Sequence, residues 1–231
     1  MLSEAEWQIV ALSLKVSIVA MLLTLPLAFA LAWVLARKRF AGRVLLDAIV
    51  HLPLVLPPVV TGWLLLLAFG AQGPVGRALD SLFGATVMFR WTGAAIAAAI
   101  MALPLMVRAI RLSIEGVDRK LEGAARTLGA GPWRSFFEIT LPLSLPGVLA
   151  AMVLGFARSI GEFGATITFV SNIPGETRTL PLAIYTALQV PGGETMATRL
   201  AIISVALSLI ALVASEALAR RGHAARTGHV L

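Results

Sequence analysis

Few residues in this chain could do chemistry, and those few are oddly placed. Arg158 and Glu162 lie four apart inside an apolar stretch, GFARSIGEFGATITFVSN. On a helix that spacing sets them one turn apart on one face, where they can pair. An isolated charge in such surroundings is expensive, so mutual neutralisation is the first expectation. The pair then either fixes the orientation of its helix or takes part in lining or gating a pore. Thr166, Thr168, Ser171 and Asn172 follow, and they offer uncharged donors to a passing solute unless their hydroxyls bond back to their own helix. His51 is either a functional ionisable group or a hydrogen-bonded histidine buried near an interface.

Catalysis finds little support. There is no G-x-x-x-x-G-K-[ST] and no Gly-Lys pair, so the chain carries no nucleotide P-loop. No H-E-x-x-H or G-x-S-x-G occurs, and His51, His223 and His229 are scattered. No Ser/His or paired-Asp arrangement suggests an intramembrane hydrolase. Cysteine is absent, which excludes disulfides, thiolate metal sites and cysteine nucleophiles. The expectation is a non-enzyme with no catalytic residue, metal ligand or bound cofactor of its own.

The elements that hold these residues are membrane spans. The 231 residues are 58% hydrophobic and only 13% charged, with a mean hydropathy of +0.90. A soluble domain carries about 25% charged residues. The formal charge of +7 does not point to nucleic acid, because no basic stripe interleaves with aromatics. The arginines gather instead at the ends of apolar runs. The acidic N-terminus (Glu4, Glu6) enters an apolar run too long for a signal peptide, so no cleavage is expected.

Spans are predicted over about 7–36, 44–70, 91–112, 143–169 and 199–219. Lys15 reads as a side chain snorkelling to the outer interface. In the second span HLPLVLPP places Pro53, Pro57 and Pro58, each lacking a donor, so the helix must kink or break. Broken backbone at membrane depth persists only against protein or a cavity, which makes 51–60 a pore-side candidate. Residues 71–90 read as a loop with a short amphipathic stretch, VGRALDSLFG. The linker 171–198 contains TLPLAIYTALQV, too short to cross and expected as a re-entrant or surface helix over the outer mouth. Small residues recur along the fourth span as Gly147, Ala151, Gly155 and Ser159, and again as Ala157, Gly161 and Ala165. Such faces let neighbouring helices approach closely on both sides.

Charge orients the spans. Arg37, Lys38, Arg39, Arg43, Arg108, Arg111, Arg119, Lys120, Arg126, Arg134, Arg220, Arg221 and Arg226 fall on one side. Arg77, Arg90, Arg178 and Arg199 fall on the other, with Lys15 and Arg158 between, which accounts for all 19 basic residues. The positive-inside rule then predicts five spans with the N-terminus out and the C-terminus cytoplasmic.

The most punctuated stretch, 113–142, is thereby cytoplasmic. Within it EGAARTLGAGPWRSFFEITLP reads as two short helices around a sharp turn. Asp118 is a suitable N-cap and Gly129 a C-terminal glycine, and Pro132 can open the second helix. Leu121, Ala124, Ala125 and Leu128 fall on one face of the first helix. Trp133, Phe136, Phe137 and Thr140 fall on one face of the second, and Leu141-Pro142 is expected to close the element.

That stretch resembles the cytoplasmic loop of binding-protein-dependent ABC importer permeases: Glu-Ala-Ala, three residues, Gly, nine residues, then Ile-x-Leu-Pro. Gly123-Ala124-Ala125, Gly129 and Ile139-Thr140-Leu141-Pro142 keep both gaps. Gly123 stands at the acidic position and Glu122 just before it, so the family's carboxylate contact is expected to be missing or shifted by one residue. KLEGAARTLGAGPWRSFFEITLPLSLPGVLA, ARSIGEFGATITFVSNIPGETRTLP and HLPLVLPPVV together resemble the permease subunit of molybdate ABC importers, and the likeness extends from the first span to the last.

The resemblance implies a single all-α transmembrane domain over 1–231, the type I ABC importer permease fold, in a bacterial inner membrane. It implies a homodimer, a cytoplasmic ABC ATPase dimer carrying ATP and magnesium, and an extracytoplasmic binding protein that delivers molybdate or tungstate. Glu122, Gly123, Ala124, Ala125, Gly129, Ile139, Leu141 and Pro142 would couple to the ATPase. Arg158, Glu162, Thr166, Thr168, Ser171 and Asn172 would lie along the pathway. Sulfate or thiosulfate permeases share the loop motif and fold class. Two readings of other classes are an ion-coupled carrier or channel and a membrane scaffold.

Overall fold

The first apolar run forms one long helix, α1 (Glu4–Arg37), opened by a reciprocal cap. Ser3 Oγ accepts from the Glu6 amide, and the Glu6 carboxylate accepts from the Ser3 amide at 2.7 Å. The computed structural model describes residues 2–227, all helices and connections, with no strand among them. The side chains of Arg220, Arg221, His223 and Arg226, and His229 altogether, lie outside the described residues.

The second run is two helices, α2 (Arg43–Val55) and α3 (Pro58–Phe69), bent by 114°. The break falls on Leu56-Pro57, where Pro57 and Pro58 have no amide hydrogen to leave unpaired. Pro53 is tolerated inside α2. After α3 comes the amphipathic α4 (Pro74–Phe83), ended by Gly84 in the left-handed region. The alanine-rich α5 (Trp91–Glu115) follows.

Next come the short α6 (Arg119–Thr127) and α7 (Pro132–Ser135), a π turn (Phe136–Thr140), α8 (Leu141–Ile160) and α9 (Gly164–Val170). The last elements are α10 (Leu180–Ala187) and α11 (Glu194–Thr227). Four stretches, in α1, α5, 132–160 and α11, are long and apolar enough to cross a membrane, and the bent α2–α3 pair makes a fifth segment if taken as one.

The centre of the bundle is α5. Two-thirds of its most apolar window is buried, against 28% for α1 and for the 132–160 helix. Ala94, Ala97 and Ala102 are fully buried, as are Ala20, Ala28 and Ala32 on α1. Such residues have no bulk to hold two backbones apart, and in lipid close approach is the main source of helix–helix attraction. Thr24 Oγ1 reaches across from α1 towards the Ala99 carbonyl at 3.3 Å. The far side of α5 takes the small face of α8, where a Cβ on Gly147 would meet Ser113 and one on Gly155 would meet Met106.

The spans depart from the sequence reading in two places. The segment 143–169 is not one helix: α8 stops at Ile160, and Gly161, Glu162 and Phe163 separate it from α9. The second set of small residues, Ala157, Gly161 and Ala165, therefore does not form one helical face. Leu141-Pro142 does not close the knuckle either, because helix runs on through it. In an α-helix the Pro142 ring would press on the carbonyl four residues earlier. The π turn immediately before it, with the Leu141 amide on the Phe136 carbonyl, widens the helix at that point. The linker helix α10 is too short to cross, as expected, and of the two positions open to it, re-entrant or on the surface, it takes the inward one. Leu180 and Leu182 are fully buried, and the Leu180 amide donates to Ser13 Oγ of α1 at 2.7 Å.

Glycine packing can be tested directly. A Cβ on Gly62 would lie 2.6 Å from the Ala165 carbonyl oxygen, which cannot swing away, whereas one on Gly123 meets nothing. Gly62→Ala should cost about 1–3 kcal/mol and lower the thermal unfolding midpoint in detergent. Gly123→Ala should leave the midpoint unchanged or raise it. Equal midpoints for the two variants would disprove the close α3–α9 contact.

Candidate functional site

Two places gather the unusual residues: the knuckle formed by α6, α7 and the π turn, and the level at which both broken helices break.

Both ends of α6 are built from its own sequence. Asp118 accepts from the Lys120 amide at its start. At its end Gly129 takes φ +88°, its amide donates to the Arg126 carbonyl, and the Ala130 amide donates to the Ala125 carbonyl. This is the glycine-ended wrap that satisfies the last carbonyls of a helix.

Glu122 holds the knuckle to the bundle. Its Oε1 accepts from Arg37 Nη2 at 2.7 Å and from Thr140 Oγ1 at 2.7 Å. One carboxylate oxygen thus joins the end of α1, the middle of α6 and the π turn. The contact expected at the acidic motif position is made one residue earlier, and Gly123 faces open space. Around it Phe136 packs edge-on against Trp33 and Phe29 of α1, with centroids at 4.8 and 6.0 Å.

The aromatic face expected on 133–140 is split. Phe136, Ile139 and Thr140 turn inward, while Trp133 and Phe137 are 75% and 58% exposed and stack on each other. The π turn changes the helical phase between the two sets. With Leu121 and Leu128, also exposed, Trp133 and Phe137 leave the apolar side of the knuckle open. Ala124 is exposed, Ala125, Ile139 and Leu141 are half-buried, and Pro142 is exposed.

At the second place the two broken helices meet. A Cβ on Gly164, the first residue of α9, would lie 2.7 Å from Pro58 Cβ, the first residue of α3. Glu162 sits in the break with its side chain 2% exposed. One of its oxygens accepts from the Ala165 amide at 2.9 Å and the other pairs with Arg158 Nη1 at 2.7 Å. The pair joins the end of one helix to the start of the next, instead of lying along one face.

The other pathway candidates are engaged in structure. Thr166 is buried, and Thr168 donates to the Gly164 carbonyl of its own helix. Ser171 ends α9 at φ +64°, and its carbonyl accepts from Thr177. Asn172 donates to Thr186 and accepts from Arg178. Arg158 is 26% exposed, against 2% for Glu162. Thr61 and Ser159 bury hydroxyls there that have no hydrogen-bond partner.

Several connections gave no sequence signal, because their members are far apart in the chain. Arg37 and Glu122 are 85 residues apart. Glu6, 1% exposed, is paired with Arg199 across 193 residues. Lys15 lies over the Trp91 ring at 3.7 Å, a cation–π contact more specific than snorkelling. His51 is half-buried and bonded to Asp47, which also receives Arg111.

The model of the family described as "Binding-protein-dependent transport system inner membrane component" matches residues 9–222. A molybdenum transport system permease protein, ModB, of Escherichia coli K12 is 63% identical over 219 residues, covering 95% of this chain and 96% of that one. The sulfate transport system permease protein CysT of the same organism is 38% identical, covering 86% of this chain and 71% of that one. Among solved structures, a bacterial ABC transporter that imports the acidic polysaccharide alginate superimposes with a TM-score of 0.72 at 22% identity, covering 95% and 80% of the two chains.

Two substitution sets probe the two places. Glu122→Ala strands the Arg37 guanidinium, 9% exposed, and should cost about 3 kcal/mol. Glu122→Gln keeps an acceptor and should cost clearly less; equal unfolding midpoints would refute the bridge. At the break Glu162 is the more buried partner, so Arg158→Ala should be more damaging than Arg158→Ala with Glu162→Ala. A four-way cycle read by thermal unfolding should show coupling of about 1 kcal/mol or more; additivity would mean that the two do not interact.

Proposed function

Since the chain belongs to the family of binding-protein-dependent transport system inner membrane components, we propose that it is the permease subunit of an ATP-driven importer that carries molybdate. One observation carries the substrate: 63% identity over nearly the whole of both chains to a molybdenum permease, against 38% to a sulfate permease. The chemistry of the breaks adds no preference among oxyanions, and tungstate remains a natural competitor of the same class.

In this reading the knuckle is the docking site of a cytoplasmic ATPase dimer, which binds the ATP and magnesium. Supporting it are the open apolar side of Leu121, Leu128, Trp133 and Phe137 and the rigid attachment of that surface to α1 through Glu122. A partner that moved the knuckle would move the end of α1 with it. The orientation follows from the arginines: knuckle and C-terminus inside, N-terminus outside. An extracytoplasmic binding protein would then deliver the oxyanion to the far end. A second copy of the chain completes the pathway. Val44, Ile49, Val55, Trp63 and Leu67 along the bent pair are exposed and suit either that copy or lipid.

The breaks at Leu56-Pro57 and at 161–163 give the pathway its gate. A conduit for a dianion must bind it weakly, since a strong cationic site would trap it. Pairing Arg158 with Glu162 leaves a dipole there instead of a bare charge.

Labelled molybdate uptake in cells lacking this chain tests the assignment. Wild type should restore uptake, with competition by tungstate and not by sulfate. Gly129→Val forces a β-branched residue into φ +88°, where it is strained; it should insert normally and restore less than a tenth of the uptake. Rescue of sulfate uptake alone would discard the substrate. Full uptake by Gly129→Val would discard the coupling role of the turn.

A further inference from the structure

On the bundle side of the knuckle, away from its exposed apolar side, lies a cleft of about 370 Å³ between the end of α1 and α6. That volume falls within the range of ordinary small-molecule sites, roughly 300–1,000 Å³. Arg37, Lys38, Arg119 and Arg126 line it, with Glu122 as the one carboxylate. Glu122 is already committed to Arg37 and Thr140. No carboxylate among the described residues pairs with Lys38, Arg119 or Arg126, and all three are exposed.

A second observation is independent of this charge count. The Arg37 side chain is 9% exposed, and its Nη2 donates to Glu122, but its Nε is buried with no acceptor. A buried guanidinium N–H without a partner costs free energy. Here it belongs to a side chain that lines a cavity with three further cations around it.

We propose that this cleft binds a tetrahedral oxyanion group, held between Arg37 and Lys38 at the end of α1 and Arg119 and Arg126 on α6. The ligand chemistry is a compact oxyanion with several acceptor oxygens, matched by planar guanidinium donors. It comes either from the phosphate of an anionic lipid at this end of the bundle or from a free oxyanion in solution, the cargo included. An occupant would tie α6 to α1 alongside the Glu122 bridge and stiffen the knuckle. Only that last consequence rests on the coupling reading; binding itself does not.

The test uses the full chain in nanodiscs, with no transport measured, so its failure and a failure of the permease reading are distinguishable. In neutral phosphatidylcholine discs, equilibrium binding of labelled phosphate and of molybdate reads the free-anion source. In discs containing phosphatidylglycerol, native mass spectrometry reads retained anionic lipid. Saturable binding in either arm is expected, weakened roughly tenfold by Lys38→Gln or Arg126→Gln and unchanged by Arg77→Gln on α4. Lys38, Arg126 and Arg77 are exposed, so all three variants should keep the wild-type unfolding midpoint. Absence of binding in both arms, or binding equal in every variant, overturns the proposal. So does protection of the cleft only on adding the ATPase, which would make it part of the protein interface.

Discussion

Hydrocarbon cannot hydrogen-bond a peptide group, so a helix that breaks within a membrane must have its open ends satisfied by protein. Two breaks interrupt apolar helical runs in this chain, at Leu56-Pro57 and at 161–163, and the residues there fit that constraint. At the first break two successive prolines remove the donors that would be exposed, and the Val60 and Thr61 amides return to the Pro57 carbonyl. At the second the Glu162 carboxylate supplies the acceptor for the Ala165 amide with one oxygen, and its other oxygen pairs with Arg158. The two breaks meet, Gly164 against Pro58, so that each covers part of the other. The central α5, lined with alanine, lets α1 and α8 come close enough to hold both broken segments in place.

The knuckle meets the opposite requirement. In the proposed orientation it lies where water can reach, so its apolar residues gain nothing by facing out, yet Leu128, Trp133 and Phe137 do so. Glu122 meanwhile turns inward, bound to Arg37 at the end of α1 and accepting from Thr140. An isolated domain would bury the apolar side chains instead. Consecutive residues point about 100° apart on a helix, so Phe136 can face Trp33 while Phe137 stays outside.

How much of this could be read from the sequence depended on distance along the chain. The turn at Gly129, the cap at Asp118, the break at the double proline and the Arg158–Glu162 pair all arise from neighbours within a few residues, and each was legible. The second break was not, because GEFG reads equally well as helix flanked by permissive glycines. What decides it is the close packing of Gly164 on Pro58, more than 100 residues away. The same holds for Arg37, visible only as one more basic residue after an apolar run. The carboxylate shift from 123 to 122 could be posed from the motif, but it needed Thr140 and Arg37 in space to be answered.

The two sites also differ in how charge is spent. At the breaks Arg158 is balanced by Glu162, so no bare charge faces an anion. At the knuckle end four cations share one carboxylate around a single cleft. An importer of small oxyanions needs the first arrangement along its path, because a tight site there would set a slow release step. It can tolerate the second only off that path, where a bound anion holds helices together instead of being carried. The bundle side of the knuckle, between the end of α1 and α6, is such a place.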